Sequence, residues 1–464
     1  MDMSEYSVRG QQVVVVGGAR SGASAARLLV ERGARVTLTD LRGTIEDASA
    51  LAGAGVRLVM GSHPVELFTS ADLIVVSPGV PRSQEAIVAA RERGVPIMGE
   101  VELAFRWLRG RVIAITGTKG KSTTTALTGT ILEHAGCHVL VGGNIGPPLS
   151  GQVRESTPES IHVVEVSSFQ LETVDTFHPW IAVLLNLTVD HLDRHASYEE
   201  YTDAKARIFA RQTEEDWAVV NADDPQTLEL ARRGRARRRQ FALRGGSNAD
   251  ITVVNGWVVE RGDEGDTPLL RTSDVRLMGP HLMADVLAAA AITRLAGVEP
   301  KHIAEAVSAF RGLEHAMEWV DEIDGVRYVN DSKATNIDAA RQAIDTFGAD
   351  LVVVMGGRFK GGDFGSLRDG LVARRATVVA IGEATPLIRE ALGAAVTVIE
   401  ATSMAEAVGA ARMAGTTGGT VLLAPACASF DMFVDYAARG RAFKAEVARL
   451  RSSVTGVGRL DVGP

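Results

Sequence analysis

The stretch "ITGTKGKSTTT" (115–125) concentrates the most chemistry in this 464-residue chain. Gly117 and Gly120 permit a turn whose successive N–H groups, Thr118 and Lys119 among them, can point at phosphate oxygens. A helix beginning near Lys121 adds its positive end to that cradle. Lys121 then suits the β- and γ-phosphates of a nucleotide, and the hydroxyl of Ser122 or Thr123 suits a magnesium ion. The usual pattern is G-x-x-x-x-G-K-[ST], and Ile115 stands where its first glycine belongs. The spacing predicts an ATP site of a non-standard kind.

Other residues offer chemistry of their own. Glu165 and His191 each close an apolar run, and strand ends in a doubly wound sheet converge on the ligand crevice. A carboxylate and an imidazole there suit a Mg²⁺ that keeps most of its waters. His191 and His195 also have the HxxxH spacing of a zinc pair, with no third ligand nearby. His195 reads as structural and Asp193 as a loop cap. Lys205, in "YTDAKARIF", reads from its helix alone as a solvated lysine. Near the start, "VVVVGGARSGASAARLL" followed by Asp40 imitates a dinucleotide fingerprint. Gly17 and Gly22 are in place, but Ala19 replaces the second glycine. Taken alone, that turn would suggest a nicotinamide oxidoreductase.

These residues need parallel sheets to position them. Residues 11–100 alternate short Val/Ile-rich runs with amphipathic segments, the signature of βαβ units. The pattern restarts near Gly99, and again after "VSAFRGLEH". The expectation is an α/β chain of three domains: 1–98 and 312–464, both Rossmann-like, around a central P-loop-type domain, 99–311. The tail "SSVTGVGRLDVGP" has turn residues and little periodicity, so it is expected to fray.

Composition narrows the class. The chain is 46% apolar and 23% charged, as in ordinary globular proteins, and a net charge of -8 argues against general nucleic-acid attraction. The basic run 232–239 has no interleaved aromatics and reads as a solvated turn. Cys137 and Cys427 lie far apart without a CxxC, which fits a reducing cytoplasm. The start carries no signal-peptide pattern, and no apolar run approaches the roughly 20 residues of a membrane helix. A cytoplasmic protein, not inserted in a membrane, is expected.

The loop "TGTKGKSTTT" closely resembles the short phosphate loop of the Mur ligases, ATP-dependent amide-forming enzymes of peptidoglycan assembly, and of the related folylpolyglutamate synthetases. In those families no glycine stands at the position of Ile115. "GGNIG", "VEVSSFQLE", "NLTVDHLDRH", "YTDAKARIF", "VNDSKATN" and "PACASFDMF" follow in order and resemble the D-glutamate-adding branch. The resemblance implies ligation of D-glutamate to UDP-N-acetylmuramoyl-L-alanine by a monomer using ATP and two Mg²⁺ ions. It implies that Arg20, Ser21, Asp40, Arg42 and Gly79 hold the UDP part, and that Asn144, Ser167 and Gln170 hold the muramoyl-alanine end. Lys205 is implied to be a carbamate, formed with CO₂, that helps hold a second magnesium. Asp331 and His281 are implied to contact ATP, and Lys333, Thr335, Lys360, Ser429 and Phe430 to contact glutamate. A sister ligase adding L-glutamate or another amino acid, or a catalytically weakened homologue, fits the same motifs.

Two stretches depart from the family. "GPHLMAD" should read G-x-H-N-x-x-N, so Leu282 and Asp285 replace asparagines that contact the nucleotide. Ala316 replaces an arginine that clamps ATP, a role that is not easily substituted. Either another basic residue, Arg311 or Arg358 for example, takes the role over, or the nucleotide handling differs.

Overall fold

The computed structural model describes residues 6–188, 194–244, 249–277 and 280–457. Val13, Val14, Val15 and Val16 are all buried in the strand Gln12–Val16. Unbroken burial of this kind belongs to a parallel sheet covered by helices on both faces. The sheet is wholly parallel, in the order Arg57–Met60, Arg35–Asp40, Gln12–Val16, Leu73–Val76, Ile97–Gly99. The order reverses between Gln12–Val16 and Leu73–Val76, which opens a crevice beyond their carboxyl ends.

The helix Glu100–Phe105 leads to the next sheet and is buried on every side. Two acids anchor it. Glu102 is fully buried and accepts from the amides of Asp175, Thr176 and Phe177 and from Arg106. Glu100 accepts from the Ser150 amide at 2.6 Å, and burial pushes its carboxyl up. A buried acid is tolerated when its oxygens are satisfied, as those of Glu102 are; Glu100 is bonded through Oε1 alone, and its Oε2 has no hydrogen-bond partner among the described residues.

Among the described residues the second sheet has nine strands. Val139–Gly143, Ile161–Glu165, Arg111–Thr116, Ile181–Leu184, Trp217–Asn221, Arg237–Ala242 and Ile251–Val254 run parallel, in that spatial order. Trp257–Glu260 and Thr267–Arg271 complete it antiparallel. The basic run is not a solvated turn throughout, because its second half is the strand Arg237–Ala242. Cross-strand partners make this possible: Arg239 pairs with Glu260, and Arg237 lies over the Trp217 ring at 5.5 Å.

A third sheet has the order Glu318–Ile323, Val326–Asn330, Thr420–Leu423, Leu351–Gly356, Thr377–Ile381, Thr397–Ala401. The first pair is antiparallel and the rest are parallel. The tail expected to fray from Ser452 is helical over its first residues, since the last helix, Tyr436–Val457, runs five residues past Ser452; residues 458–464 lie outside the described residues. Its first half is anchored by Arg439, Phe443 and Val447, all buried. By its contacts the chain forms two compact units. One holds residues up to Asp274 with Ala284–Val307, and the other holds Val275–Met283 with residues from Ser308 onward.

Candidate active site

The phosphate loop follows the strand Arg111–Thr116, and the helix Lys121–His134 begins directly after it. Gly120 caps that helix at φ +82°, in the left-handed region that favours glycine, and no side chain caps it. The first amides of such a helix are available to an anion. The loop's shape is set from outside. The Thr118 amide donates to the Asn186 carbonyl at 3.0 Å, and the Lys119 amide donates to Asn186 Oδ1 at 2.8 Å. The Asn186 amide returns a bond to the Lys119 carbonyl at 3.0 Å. Thr118 Oγ1 lies 2.8 Å from the Tyr201 hydroxyl. Neither Asn186 nor Tyr201 is visible as a loop residue in the sequence. Lys121 donates to the carbonyls of Gly117 and Thr118 at 2.9 and 2.8 Å, so its ammonium is folded over the loop it serves.

Lys205 is not a solvated helical lysine. It is 2% exposed, donates to the Gly117 carbonyl at 2.8 Å, and lies 4.8 Å from the Tyr201 ring centre. The helix Tyr198–Ala206 therefore delivers an amine to the back of the phosphate loop. Glu165 ends its strand at 1% exposure. Its Oε1 accepts from the Asn144 amide at 2.6 Å, while among the described residues its Oε2 has no hydrogen-bond partner. A buried carboxylate oxygen left open in this way suits a cation. Ser122 is half-buried in the first turn after the loop. His191 and Asp193 lie outside the described residues. His195 is buried, shares a 3.0 Å hydrogen bond with Ser168 Oγ, and stacks on Phe169.

The crevice of the first sheet is a cavity of about 420 Å³. Arg20, Ser21, Asp40, Arg42, Gly79, Asn144 and Gln170 all line it. Asp40 accepts from the Gly18 amide at 2.7 Å and from the Arg42 guanidinium at 2.7 and 2.9 Å. The Arg42 bonds hold its carboxyl far below the usual carboxylate range. Arg20 donates to the Gly146 carbonyl at 3.1 Å, closing one wall. Ser167 behaves differently. It is the N-cap of the helix Ser168–Leu171, locked in a capping box with Gln170, and it does not line the cavity.

The remaining site residues gather in the second unit, at the carboxyl ends of its strands. Asp331 follows the strand Val326–Asn330, and burial pushes its carboxyl up to about 6. Lys360 donates to Thr335 Oγ1 at 3.3 Å, and Lys333 is exposed beside them. Ser429 is buried and Phe430 is 64% exposed. Arg439, at 2% exposure, donates to the Ser332 carbonyl and hydroxyl and to the Cys427 carbonyl, pinning both loops. Burial lowers its guanidinium to about 10. Arg358 is occupied by Glu383 at 3.0 Å, and Arg311 reaches the Val320 carbonyl at 3.5 Å. His281 belongs to the helix Pro280–Leu295, and its side chain is not among those described.

Comparison with known proteins gives a consistent result along the whole chain. Residues 11–99 match the MurD-like N-terminal domain of Mur ligases, 115–293 the Mur ligase middle domain, and 315–427 the Mur ligase glutamate ligase domain. The UDP-N-acetylmuramoylalanine--D-glutamate ligase of Acidobacterium capsulatum is 46% identical, over 94% of this chain and 96% of its own. The enzyme of the same name from Koribacter versatilis is 41% identical over 96% and 98%. Among solved structures, the UDP-N-acetylmuramate-alanine ligase MurC of Thermotoga maritima superposes with a TM-score of 0.56 at 19% identity, over 96% of this chain and all of its own. The MurF ligase of the same organism gives 0.56 at 17%, over 97% of each chain. These two show the shared fold alone. With relatives at this identity over nearly its full length, the chain belongs to the Mur ligase family, in the branch of the UDP-N-acetylmuramoylalanine--D-glutamate ligases.

Proposed function

We propose that the chain joins D-glutamate to the L-alanyl carboxylate of UDP-N-acetylmuramoyl-L-alanine in peptidoglycan precursor synthesis, with ATP converted to ADP and phosphate. One observation carries this reading: Asn144 lines the first-sheet cavity and also binds Glu165, at the end of the strand next to the phosphate-loop strand. A nucleotide-linked acid in that cavity points its far end toward the loop.

Chemistry then needs position more than a protein nucleophile. The substrate carboxylate oxygen attacks the terminal phosphorus of ATP, and ADP leaves. The glutamate amine attacks the carbonyl carbon of the resulting acyl phosphate. Its proton is lost, phosphate departs, and an amide remains. Gly120, Ser122 and Thr123 form the cradle with the amides at the start of the helix, while Gly117, Thr118 and Lys119 set its shape: the Thr118 and Lys119 amides, expected to point at phosphate, are bonded to Asn186 instead. Lys121 exchanges its bonds to the Gly117 and Thr118 carbonyls for the transferring phosphoryl group. His281 and Asp331 are the further residues that the family resemblance gives for ATP.

Ser122, Glu165, His191 and Lys205 as its carbamate are the residues suited to Mg²⁺, which supplies neutralisation of phosphate charge. The burial of Lys205 against the loop supports this reading, in which CO₂ adds to Nζ with loss of a proton. A ¹³C carbamate resonance in protein equilibrated with ¹³C-bicarbonate, absent in Lys205→Ala, is the expected sign. Ser167 orients Gln170 for the muramoyl-alanine end. Lys333, Thr335, Lys360, Ser429 and Phe430 form the glutamate site. We read 1–98, 99–311 and 312–464 as the substrate, ATP and glutamate domains. The setting is the cytoplasm, and no described helix is long and apolar enough to cross a membrane.

The deciding experiment is phosphate release with ATP, Mg²⁺ and UDP-N-acetylmuramoyl-L-alanine. Release that depends on D-glutamate is the expected result. Dependence on L-glutamate would make the chain a sister ligase, and no release with either would make it a weakened homologue.

A further inference from the structure

Asp285 is an acid that the reaction above does not use. It lies on the helix Pro280–Leu295, is 3% exposed, and faces the phosphate loop so closely that a Cβ on Gly120 would lie 2.1 Å from its Oδ1. Among the described residues its Oδ2 has no hydrogen-bond partner, and neither has the buried Thr124 hydroxyl on the helix that leaves the loop. Burial pushes the Asp285 carboxyl well above the usual carboxylate range; the Thr124 hydroxyl opposes this from nearby, without reaching good hydrogen-bond geometry.

The charged groups around it are few. The loop contributes Lys119, which is exposed, and Lys121, whose ammonium is bonded to the Gly117 and Thr118 carbonyls. The buried turns of the helix Lys121–His134 contribute hydroxyls, from Thr124, Thr125 and Thr128, and its ionisable Glu133 and His134 come only at the far end. On the helix of Asp285 itself, Arg294 is bound to Glu260, and His281 stands one turn before.

A carboxylate in this place would stand against the backbone that must hold a polyanion, with little water to screen the repulsion. A neutral acid presents a hydroxyl donor instead. We propose that Asp285 is a positioning residue of the nucleotide loop that works as a neutral acid, its hydroxyl directed at the loop, so that ionising it expels the nucleotide. This rests on the reading of residues 117–123 as the ATP loop.

The test is ATP affinity by calorimetry in Mg²⁺ across the full pH range in which the folded protein is stable, from about 5 upward, for the wild type and Asp285→Asn. The asparagine keeps the shape and a donor but cannot ionise. The expected result is a wild-type affinity that falls about tenfold or more relative to the variant as pH rises. Thermal stability supplies a second readout. The stability that a raised acid contributes is present below its unfolded pKa and lost as pH rises through the folded one. Asp285→Asn should therefore gain on the wild type toward high pH. Parallel affinity profiles would overturn the proposal. So would a variant whose lost ATP binding returns at high Mg²⁺, since Asp285 would then be a metal ligand. ATP binding by neither protein would instead sink the loop reading, taking this inference with it. Should the variant not fold, wild-type ATP affinity is set against its affinity for UDP-N-acetylmuramoyl-L-alanine. A pH-dependent loss confined to ATP supports the proposal, and equal losses overturn it.

Discussion

The molecule contains two glycine-rich turns built on the same plan, one after Gln12–Val16 and one after Arg111–Thr116. Each follows a central parallel strand, and each leads into a helix with no side-chain cap. They differ in what already occupies the turn. In the first, the Gly18 amide is bonded to the Asp40 carboxylate, which is held by Arg42. In the second, the amides of Thr118 and Lys119 are bonded to a neutral asparagine, and two lysines lie over the loop. A negative charge built into a turn leaves less of its positive field for a ligand, and an amide side chain leaves it intact. The first turn therefore suits a nucleotide held by its sugar and base as much as by its phosphates. The second suits the triphosphate that reacts.

Breaking the second turn should have the largest effect. Lys121→Ala is expected to lower kcat by about a thousandfold, roughly 4 kcal/mol of transition-state stabilisation, with UDP-substrate affinity unchanged. Equal losses in steady-state kcat and in equilibrium UDP-substrate binding would show that the two turns are not separable. Gly120→Ala should weaken ATP binding by about tenfold to a hundredfold, since it forces both a left-handed alanine and a Cβ into Asp285. Combining it with Asp285→Ala should recover part of that loss, and calorimetry on the pair would measure the coupling.

A smaller and opposite effect is expected at the first turn. Asp40→Asn should raise the KM for the UDP substrate by about tenfold and leave the KM for ATP unchanged. Its carboxyl is depressed in the folded state, so its stabilisation is present above the unfolded pKa and lost as pH falls through the folded one. The difference in Tm between wild type and variant should thus shrink on acidification. The smallest effect is expected at Asp331, whose carboxyl is raised to about 6. The stability it contributes is complete below its unfolded pKa and lost as pH rises through about 6. Asp331→Asn should approach the wild type in Tm as pH falls below 3.8 and exceed it slightly at about pH 8.

Much of this was legible in the residues themselves. Val13 to Val16, followed by Gly17 and then Asp40, placed the first turn, and the Gly-Lys-Ser run placed the second. Local steric and periodic rules act within a few residues, so they can be read without a partner. Lys205 shows where that reading stops. On its helix it has the pattern of a solvated lysine, and its burial depends on Thr116 and Gly117, distant in sequence, meeting its ammonium. The basic run failed for a related reason, because Glu260 and Trp217 neutralise and cover a strand that composition alone assigns to solvent.

Sequence alone determined the alternation of strands and helices in the parallel stretches and the two glycine-rich turns, and it offered Lys121, Glu165 and Asp40 as candidate site residues. Those follow from glycine's freedom, apolar periodicity and the chemistry of single side chains. Only the tertiary structure decided that Asn186 clamps the loop from 67 residues away, that Arg439 is buried under two loops, and that Asp285 lies against Gly120. Hydrogen bonding and desolvation depend on what surrounds a group in space, and that environment exists only once the chain has folded.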